Sequence, residues 1–320
     1  MDVIWDPRTR RLQFKTASLD GTFVADGWHH GVSMLVHRPT GTPLTGGTVP
    51  LLALYRLLCR DGWLGEARET HHSVQEHDDG VTLTWAPNPL HQVLLSGRIR
   101  IREEDAIDLA VEVVGCAAYE RYEVFISNYF HSDLRPGVYV PPEPGETIVH
   151  DDTVRIEPVL HPVYRGLYVT FPRDEAAAHL FTDGRWRRGR NFARFLAARF
   201  YARPLAYYRH PAAGVDAVLM GRREDLAAVS MAYAPAGGDI DDVAEHRSLY
   251  ASLWGRDLRP GAVWRTALRL QVGRWYGDAA AHLRAWQDFD KLQPASGRPA
   301  EIPNAKTFFT MLGTSARDPR

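Results

Sequence analysis

Alternation of apolar and polar residues over two successive segments constrains the fold of this chain most. In segment 93–102 isoleucines alternate with arginines, and in segment 107–113 isoleucine, leucine and valines alternate with Asp108, Ala110 and Glu112. Because successive side chains of a strand point to opposite faces, this period of two predicts two strands that each bury one face. The acidic turn Glu103–Asp105 between them indicates an antiparallel hairpin.

The next segment, 119–140, continues the period of two but carries polar groups on both faces. We expect one face to hold Arg121, Glu123, Phe125, Ser127, Tyr129 and His131, and the other to hold Tyr122, Val124, Ile126, Asn128 and Phe130. Glu123 and His131 would lie roughly 26 Å apart along one strand. Only the Tyr129–His131 end, with Asp133 beyond it, can therefore serve one small ligand. Glu123 is expected to be a distant subsite or a solvated residue.

The rest of the chain repeats the strand pattern, with about fifteen short strands in all, which is typical of an all-β fold. We predict a large two-sheet antiparallel β-supersandwich with a few short covering helices. Helices are expected over Pro50–Arg60, from the spacing of its leucines, and after Asp278, as N-cap. No shift in composition divides the chain, so we predict a single domain over residues 1–320, with 293–320 as an extended tail.

Composition excludes several classes of protein. The 320 residues carry a formal net charge of -1, so no broad nucleic-acid surface is expected. The two cysteines, Cys59 and Cys116, are too few for a disulfide framework. No apolar run is long enough to span a bilayer, and the N-terminal residues show no secretory signal. We therefore expect a soluble, cytoplasmic protein with neither a membrane nor a nucleic acid as partner.

Two stretches carry a resemblance to a known family. The first is VLLSGRIRIREEDAIDLAVEVVG followed by YERYEVFISNYF, and the second is VDAVLMGRREDLAAVSMAYAP followed by SLYASLWGRDLRPGAVWRTALRLQVG. Both resemble the galactose mutarotase-like β-supersandwich proteins, which include the aldose 1-epimerases. The shared features are a long strand ending in a Tyr-Phe pair and a late turn, Pro260–Ala262, that leads into a long final strand.

The resemblance implies a sugar ligand in a concave sheet, with a histidine acid and a carboxylate base. The chain departs from the epimerase pattern, because Asn128 stands where the family has a histidine before the Tyr-Phe pair, and His131 follows that pair. Glu224 and Glu245 are both conceivable counterparts of the family's glutamate. The resemblance therefore favours carbohydrate chemistry or binding over a plain aldose epimerase.

Candidate site residues follow from side-chain chemistry. Histidine titrates near neutrality and suits proton transfer, aromatic rings stack on sugar faces, and arginine clamps carboxylates or hydroxyls. The predicted catalytic residues are His131, Asp133, Tyr129 and Glu224, with Glu66 and Glu69 as further candidates for the carboxylate partner of His131. The predicted substrate-binding residues are His30, Arg38, His72, Trp28, Arg222 and Arg256.

Three functions remain open at this stage. The first is an enzyme acting on a sugar or glycoside by histidine and carboxylate acid–base chemistry, of epimerase, lyase or hydrolase type. The second is a carbohydrate-binding protein without turnover. The third is a metal-dependent lyase or hydrolase, in which His29 or His30 joins His72 and His131 around a divalent metal, although no spacing is diagnostic. No cofactor is predicted, and nucleotide-binding and GxSxG motifs are absent from the sequence.

Overall fold

The computed structural model describes residues 1–26, 29–46, 49–102, 104–159, 167–187, 193–233 and 247–292. Strands dominate these residues and form two large sheets and one smaller sheet. The predicted all-β architecture with a few short helices is therefore confirmed. Trp28, Glu245 and the tail 293–320 lie outside the described residues.

The largest sheet has nine strands and contains the predicted hairpin. Its strands, from one edge to the other, are β14 (Val154–Ile156), β13 (Arg135–Val140), β17 (Leu205–His210), β18 (Val215–Gly221), β21 (Val263–Gly273), β11 (Ala106–Gly115), β10 (Val93–Ile101), β9 (Gly80–Trp85) and β8 (Ser73–His77). β10 and β11 pair antiparallel with Ile99 opposite Leu109. Both residues are buried, as the alternation predicts.

The second sheet has seven strands and contains the segment that begins at Tyr119. Its order is β16 (Arg194–Ala197), β15 (Leu167–Pro172), β19 (Leu226–Ala232), β20 (Ser248–Leu258), β12 (Tyr119–Tyr129), β6 (Ala53–Cys59) and β7 (Gly62–Glu66). β15 and β16 pair parallel, and the other neighbours pair antiparallel. β12 lies between β20 and β6, so its residues face groups from both neighbours.

The N-terminal residues form a five-stranded antiparallel sheet that adds to the two predicted sheets. Its strands are β1 (Asp2–Asp6), β2 (Arg11–Lys15), β3 (Leu19–Val24), β4 (Gly31–His37) and β5 (Thr42–Pro43), in chain order. A bridge between Val32 and Leu51 links β4 to the segment that precedes β6. This link brings the start of β4 close to the seven-stranded sheet.

One apolar core joins all three sheets. Val124 of the seven-stranded sheet, Leu109 of the nine-stranded sheet and Phe23 of the N-terminal sheet belong to the same buried cluster. Packing between the large sheets is close, since a Cβ added to Gly97 would lie 2.4 Å from Leu54 Cδ1. Because two sheet faces interdigitate here, each strand buries its apolar side chains as in a sandwich.

Short helices cover the outer faces of both large sheets. The seven-stranded sheet is covered by α1 (Glu175–Ala178) and by 3₁₀ turns His179–Phe181 and Arg185–Arg187, whose buried residues pack on Phe125 and Tyr250. The nine-stranded sheet is covered by α2 (Ala279–Lys291), which Asp278 caps as predicted. Within the described ranges, no helix is long and apolar enough to cross a membrane.

The helix predicted over Pro50–Arg60 is wrong, because this segment forms β6 in the interior of the seven-stranded sheet. Leu54 and Leu57 face the core between the sheets, whereas Leu58 packs in the cluster on the outer face. A strand buried on both sides carries apolar residues on both faces, so its sequence loses the period of two. Phe192, Phe195, Leu196 and Phe200 also have helical spacing in the sequence, but Arg194–Ala197 forms the edge strand β16.

Alternation along β12 is confirmed, but the expected exposure of Glu123 is not. Tyr122 and Val124 face the core, and Phe125 faces the outer cluster. Glu123 is fully buried and pairs with Arg185, so it is neither solvated nor a subsite open to ligand. Asn128 is also fully buried; its Oδ1 accepts a hydrogen bond of 2.9 Å from the Leu52 amide, and its Nδ2 donates one of 3.0 Å to the Leu249 carbonyl. Asn128 therefore joins backbone segments, which explains an amide at this position.

Candidate functional site

A small pocket lies where the start of β4 meets the end of the seven-stranded sheet at which β12 terminates with Tyr129. Its lining residues are His29, His30, Val49, Ala53, Leu54, Tyr55, Arg68, Ser127 and Tyr129. Ser127 pairs with Ala53 across β12 and β6, which places Tyr129 and Tyr55 at the same end of the sheet. The pocket volume is about 30 Å³. A cavity needs about 10–15 Å³ to hold one water molecule, so this pocket has room for one small polar group of a ligand.

Two arginines cover the ring of Tyr55. The guanidinium carbons of Arg56 and Arg68 lie 4.8 Å and 4.6 Å from the ring centroid. The Tyr55 hydroxyl accepts hydrogen bonds from Arg56 Nη2 at 3.2 Å and from Arg68 Nη2 at 3.4 Å. Cation–π attraction and these hydrogen bonds together fix both guanidinium groups beside the pocket.

Glu66 is the carboxylate partner of both arginines. It is buried at the end of β7, and Arg68 Nε donates to its Oε2. Arg56 Nε lies 3.7 Å from its Oε1, which is beyond hydrogen-bond reach, and that nitrogen has no hydrogen-bond partner among the described residues. One carboxylate thus serves two guanidinium groups, so these three residues carry a net charge of +1.

Both ring nitrogens of His30 are buried at the pocket without a hydrogen-bond partner among the described residues. His30 is 1% exposed. Its ring packs 5.1 Å from Trp85 and 5.9 Å from His72, measured between centroids. Burial, with repulsion from His72, His29 and Arg68, lowers the pKa of His30 to about 3. His30 is therefore neutral, with one nitrogen able to donate and one able to accept.

The remaining histidines near the pocket have partners. His29 Nδ1 lies 3.4 Å from Arg68 Nη1, and burial together with the charge of Arg68 lowers the pKa of His29. His72 Nε2 donates to the Ala25 carbonyl at 2.6 Å, and burial lowers its pKa. His72 therefore supports the ring of His30 from behind but does not line the pocket.

Tyr129 lines the pocket and is tied to a second tyrosine. Its hydroxyl lies 2.7 Å from that of Tyr250, and the ring of Tyr168 lies 5.3 Å from the ring of Tyr250. Burial raises the pKa of Tyr129, of Tyr168 and of Tyr250. Tyr129 therefore stays protonated near neutral pH and can exchange hydrogen bonds with a ligand, but it is no base.

His131 and Asp133 lie together just beyond the end of β12. His131 Nδ1 lies 3.5 Å from Asp133 Oδ2 and accepts a hydrogen bond of 3.3 Å from the Asp133 amide. His210, which sequence reasoning missed, lies on the other side with Nε2 3.9 Å from Asp133 Oδ2. The side chains of His131 and Asp133 are 30% and 62% exposed, so this histidine–aspartate pair is open to solvent.

Three predicted residues lie at the opposite end of the seven-stranded sheet. Tyr129 pairs with Ser248 of β20, whereas Arg256 of the same strand pairs with Tyr122. Eight residues of strand separate Ser248 and Arg256, about 26 Å. Arg256 forms an ion pair of 3.1 Å with Asp225, and the neighbouring Glu224 is exposed. Arg222 donates a hydrogen bond to the Leu292 carbonyl. The structure does not bring Glu224, Arg222 or Arg256 to Tyr129.

Arg38 is also remote from the pocket. In the pairing of β3 and β4, Leu19 lies opposite His37 and Val24 lies opposite Gly31. Arg38 thus follows the far end of β4 from His30, where its Nη1 donates to the Thr16 carbonyl. Trp28, the predicted stacking platform, lies outside the described residues.

The described residues do not form a metal-binding cluster. Among the residues that it describes, no group of three or more histidines, cysteines or carboxylates has the geometry to hold a metal ion. The rings of His72 and His30 are adjacent, but His131 is not among the residues that line the pocket of His30. A shared metal site for these histidines is therefore not assembled.

Comparison with known proteins gives similarity of structure only. The sequence matches no protein-family profile and no curated protein sequence. Solved structures similar to the chain include galactose 1-epimerase from Lactobacillus acidophilus NCFM, at 9% identity and a TM-score of 0.47, with 85% of this chain and 98% of that chain covered. An aldose epimerase homologue from C. elegans is 7% identical with a TM-score of 0.47, over 82% and 98% of the two chains.

A third similar structure belongs to a longer protein. It is the galactosidase domain of an alpha-galactosidase-sucrose kinase, at 9% identity and a TM-score of 0.47, with 85% of this chain covered. The present chain spans 42% of the length of that chain. Two of these three similar structures are an epimerase and an epimerase homologue.

Proposed function

We propose that this protein binds a carbohydrate at the pocket of His30, Tyr55 and Tyr129 and acts on it through His131 and Asp133. The observation that carries the proposal is the buried ring of His30, whose two nitrogens have no hydrogen-bond partner among the described residues. Leaving a buried polar group without a hydrogen bond costs about 1–3 kcal/mol, so a ligand that supplies one gains affinity. A sugar hydroxyl both donates and accepts, and it matches a neutral imidazole.

The surroundings of His30 suit a sugar ring as well. Tyr55 and Tyr129 are partly exposed at the pocket, where aromatic rings offer surfaces for the C–H faces of a sugar. His131 follows Tyr129 by two residues, a separation of about 7 Å along a strand. A ligand of sugar size seated on Tyr129 therefore comes within reach of the His131–Asp133 pair. The strand motifs described above favour the same class of ligand.

Binding without turnover is the second candidate, and one observation favours it. The described lining of the pocket includes no carboxylate, and Glu66 beside it is held by two arginines. Acid–base chemistry on a bound sugar would therefore depend on His131 and Asp133 at the pocket's edge. If these residues do not reach the ligand, the site binds without converting it.

Ligand-observed NMR and calorimetry with a panel of monosaccharides test the binding step. We expect His30→Ala to weaken binding about tenfold or more, since it removes a buried hydrogen-bonding group. His77→Ala is a matched control, because His77 lies on the edge strand β8 and contacts Thr82. Failure of every monosaccharide to bind the wild type would overturn the proposal.

Anomeric exchange of the bound sugars, followed by NMR, tests the turnover step. We expect the wild type to accelerate exchange, and we expect His131→Ala to abolish the acceleration while it retains binding. Full activity of His131→Ala would overturn the role given to His131. The assay also includes glycosides. If the wild type binds sugars but converts neither sugars nor glycosides, the protein binds carbohydrate without turnover.

A further inference from the structure

The pocket is too small to take a sugar ring, so only part of a ligand can enter it. Its volume of about 30 Å³ corresponds to about two water-sized groups. A pyranose ring contains several more atoms than this space holds, so the ring must lie outside, against the aromatic side chains of Tyr55 and Tyr129. The volume therefore limits the part of the ligand inside the pocket to a substituent of about two non-hydrogen atoms.

The charges of the lining favour an uncharged substituent. Arg68, the one arginine or lysine among the described lining residues, is ion-paired with Glu66 and donates a hydrogen bond to the Tyr55 hydroxyl. Burial lowers the pKa of His29 and of His30, so neither imidazole carries a charge near neutral pH. The pocket therefore offers a ligand mainly neutral hydrogen-bonding groups, which match a hydroxyl better than a carboxylate or a phosphate.

Apolar and polar side chains lie side by side in the pocket. Ala53 of β6 lies directly opposite Ser127 of β12, so their side chains share one face of the sheet, with Cβ atoms about 5 Å apart. Val49 and Leu54 add aliphatic surface to the lining. The ring nitrogens of His30, which bond to nothing within the described ranges, add one donor and one acceptor. The lining thus matches a substituent made of one carbon and one hydroxyl oxygen.

We propose that the pocket binds the hydroxymethyl group of a hexopyranose, with the methylene against Ala53 and the hydroxyl bonded to Ser127 and His30. This inference rests on the proposed function and specifies the class of sugar, a hexose with a free primary hydroxyl. A hydroxyl attached directly to the ring would leave part of the space unfilled, whereas phosphate and acetamido groups are larger than the space. The hydroxymethyl group fits both the volume and the mixed lining.

Binding of three matched probes to the wild-type protein, measured by calorimetry, tests the inference. D-galactose, D-fucose and L-arabinose share one pyranose ring and carry a hydroxymethyl group, a methyl group and a hydrogen atom, respectively, at the same ring carbon. We expect D-galactose to bind at least about tenfold more tightly than D-fucose, which lacks the hydroxyl. We expect L-arabinose to bind about fourfold more weakly again, because it lacks the buried methyl group. D-glucose, D-quinovose and D-xylose form the same series on a second ring.

Two substitutions test the residues of the pocket. We expect Ser127→Ala to reduce the preference for D-galactose over D-fucose about threefold or more, while D-fucose affinity stays within about twofold of the wild type. Ala53→Val fills the space with a residue that strands favour, and we expect it to weaken D-galactose binding about tenfold and L-arabinose binding less than about twofold. Ser96→Ala and Ala110→Val are matched controls in β10 and β11 of the nine-stranded sheet. Circular dichroism of each variant establishes that the fold is kept.

The outcomes separate this inference from the proposed function. If the probes without a hydroxymethyl group bind as tightly as the hexoses, or more tightly, in both series, the inference is wrong and carbohydrate binding stands. An unchanged preference in Ser127→Ala together with unchanged D-galactose binding by Ala53→Val would also overturn the inference. If no monosaccharide of the wider panel binds, the proposed function is wrong and the inference falls with it.

Discussion

Arg185 Nη1 lies 2.8 Å from Glu123 Oε2, and neither side chain is exposed to solvent. Arg185 also binds Asp183 at 2.9 Å and the Arg121 carbonyl at 3.0 Å, while Ser252 donates to Glu123 Oε1. The pair joins the 3₁₀ turn Arg185–Arg187 to β12 of the seven-stranded sheet. It thereby anchors the cluster of Phe125, Trp186 and Tyr250 beneath the tyrosines of the site.

Substituting Glu123 removes one of the two carboxylates that compensate the buried charge of Arg185, while Asp183 keeps its pairing. We expect Glu123→Gln to lower the free energy of unfolding by about 2–3 kcal/mol, because a buried charge loses a hydrogen bond. The Arg60–Glu120 pair, with side chains 61% and 62% exposed, is the matched control. Substituting Glu120→Gln should have a much smaller effect, because both side chains of this pair are exposed to solvent. Urea unfolding measures both, and equal effects of the two substitutions would contradict the buried role of Glu123.

A second buried pair fixes α2 to the nine-stranded sheet. His282 Nε2 lies 3.2 Å from Asp216 Oδ2, which also accepts from the Gly277 amide at 2.7 Å, and His282 Nδ1 lies 2.9 Å from the Tyr139 hydroxyl. We expect Asp216→Ala to lower the free energy of unfolding by about 3–5 kcal/mol and Tyr139→Phe by about 1 kcal/mol. Denaturant titration gives this order, and a larger effect of Tyr139→Phe would contradict it.

The elements that sequence predicts well are those that bury one face only. β10 and β11 show a clear period of two, and their pairing follows from the short turn between them. β6 is buried on both faces, so no local pattern distinguishes it from a helix. Glu123 shows the same limit, because its partner Arg185 is distant in sequence and its burial depends on a covering turn.

For a related reason, the sequence predicts only part of the candidate site. His30 and Tyr129 were predicted for a ligand site and do line one pocket, although their function stays a prediction. Tyr55 was missed because it lies in the segment that resembles a helix. The positions of Glu224 and Arg256 depend on the direction and register of β19 and β20 against β12, which the sequence does not specify.

Residues at the far end of the seven-stranded sheet should not affect ligand binding at the pocket. Because about 26 Å of strand separates Arg256 from Ser248, which pairs with Tyr129, their substitutions should be independent. We expect Glu224→Gln and Arg256→Gln to leave sugar affinity within about twofold of the wild type. Calorimetry compares the sugar affinities of these variants with that of His30→Ala. If Glu224→Gln loses as much affinity as His30→Ala does, Glu224 belongs to the binding site.

The free energy of unfolding should decrease as the pH is lowered, because His30 is buried in its neutral form. Its pKa is lowered from 6.5 to about 3, so the unfolded chain binds a proton at a higher pH than the folded chain does. The stabilisation is complete above about pH 6.5 and is lost as the pH falls toward 3, at up to about 1.4 kcal/mol per pH unit. His91, whose burial lowers its pKa to about 4, contributes with the same sign.

Between pH 6 and 5 we therefore expect the wild type to lose about 1 kcal/mol more of its free energy of unfolding than His30→Gln does. Urea unfolding at several pH values measures this difference. Parallel stability curves for the two proteins would show that His30 is not held neutral by burial.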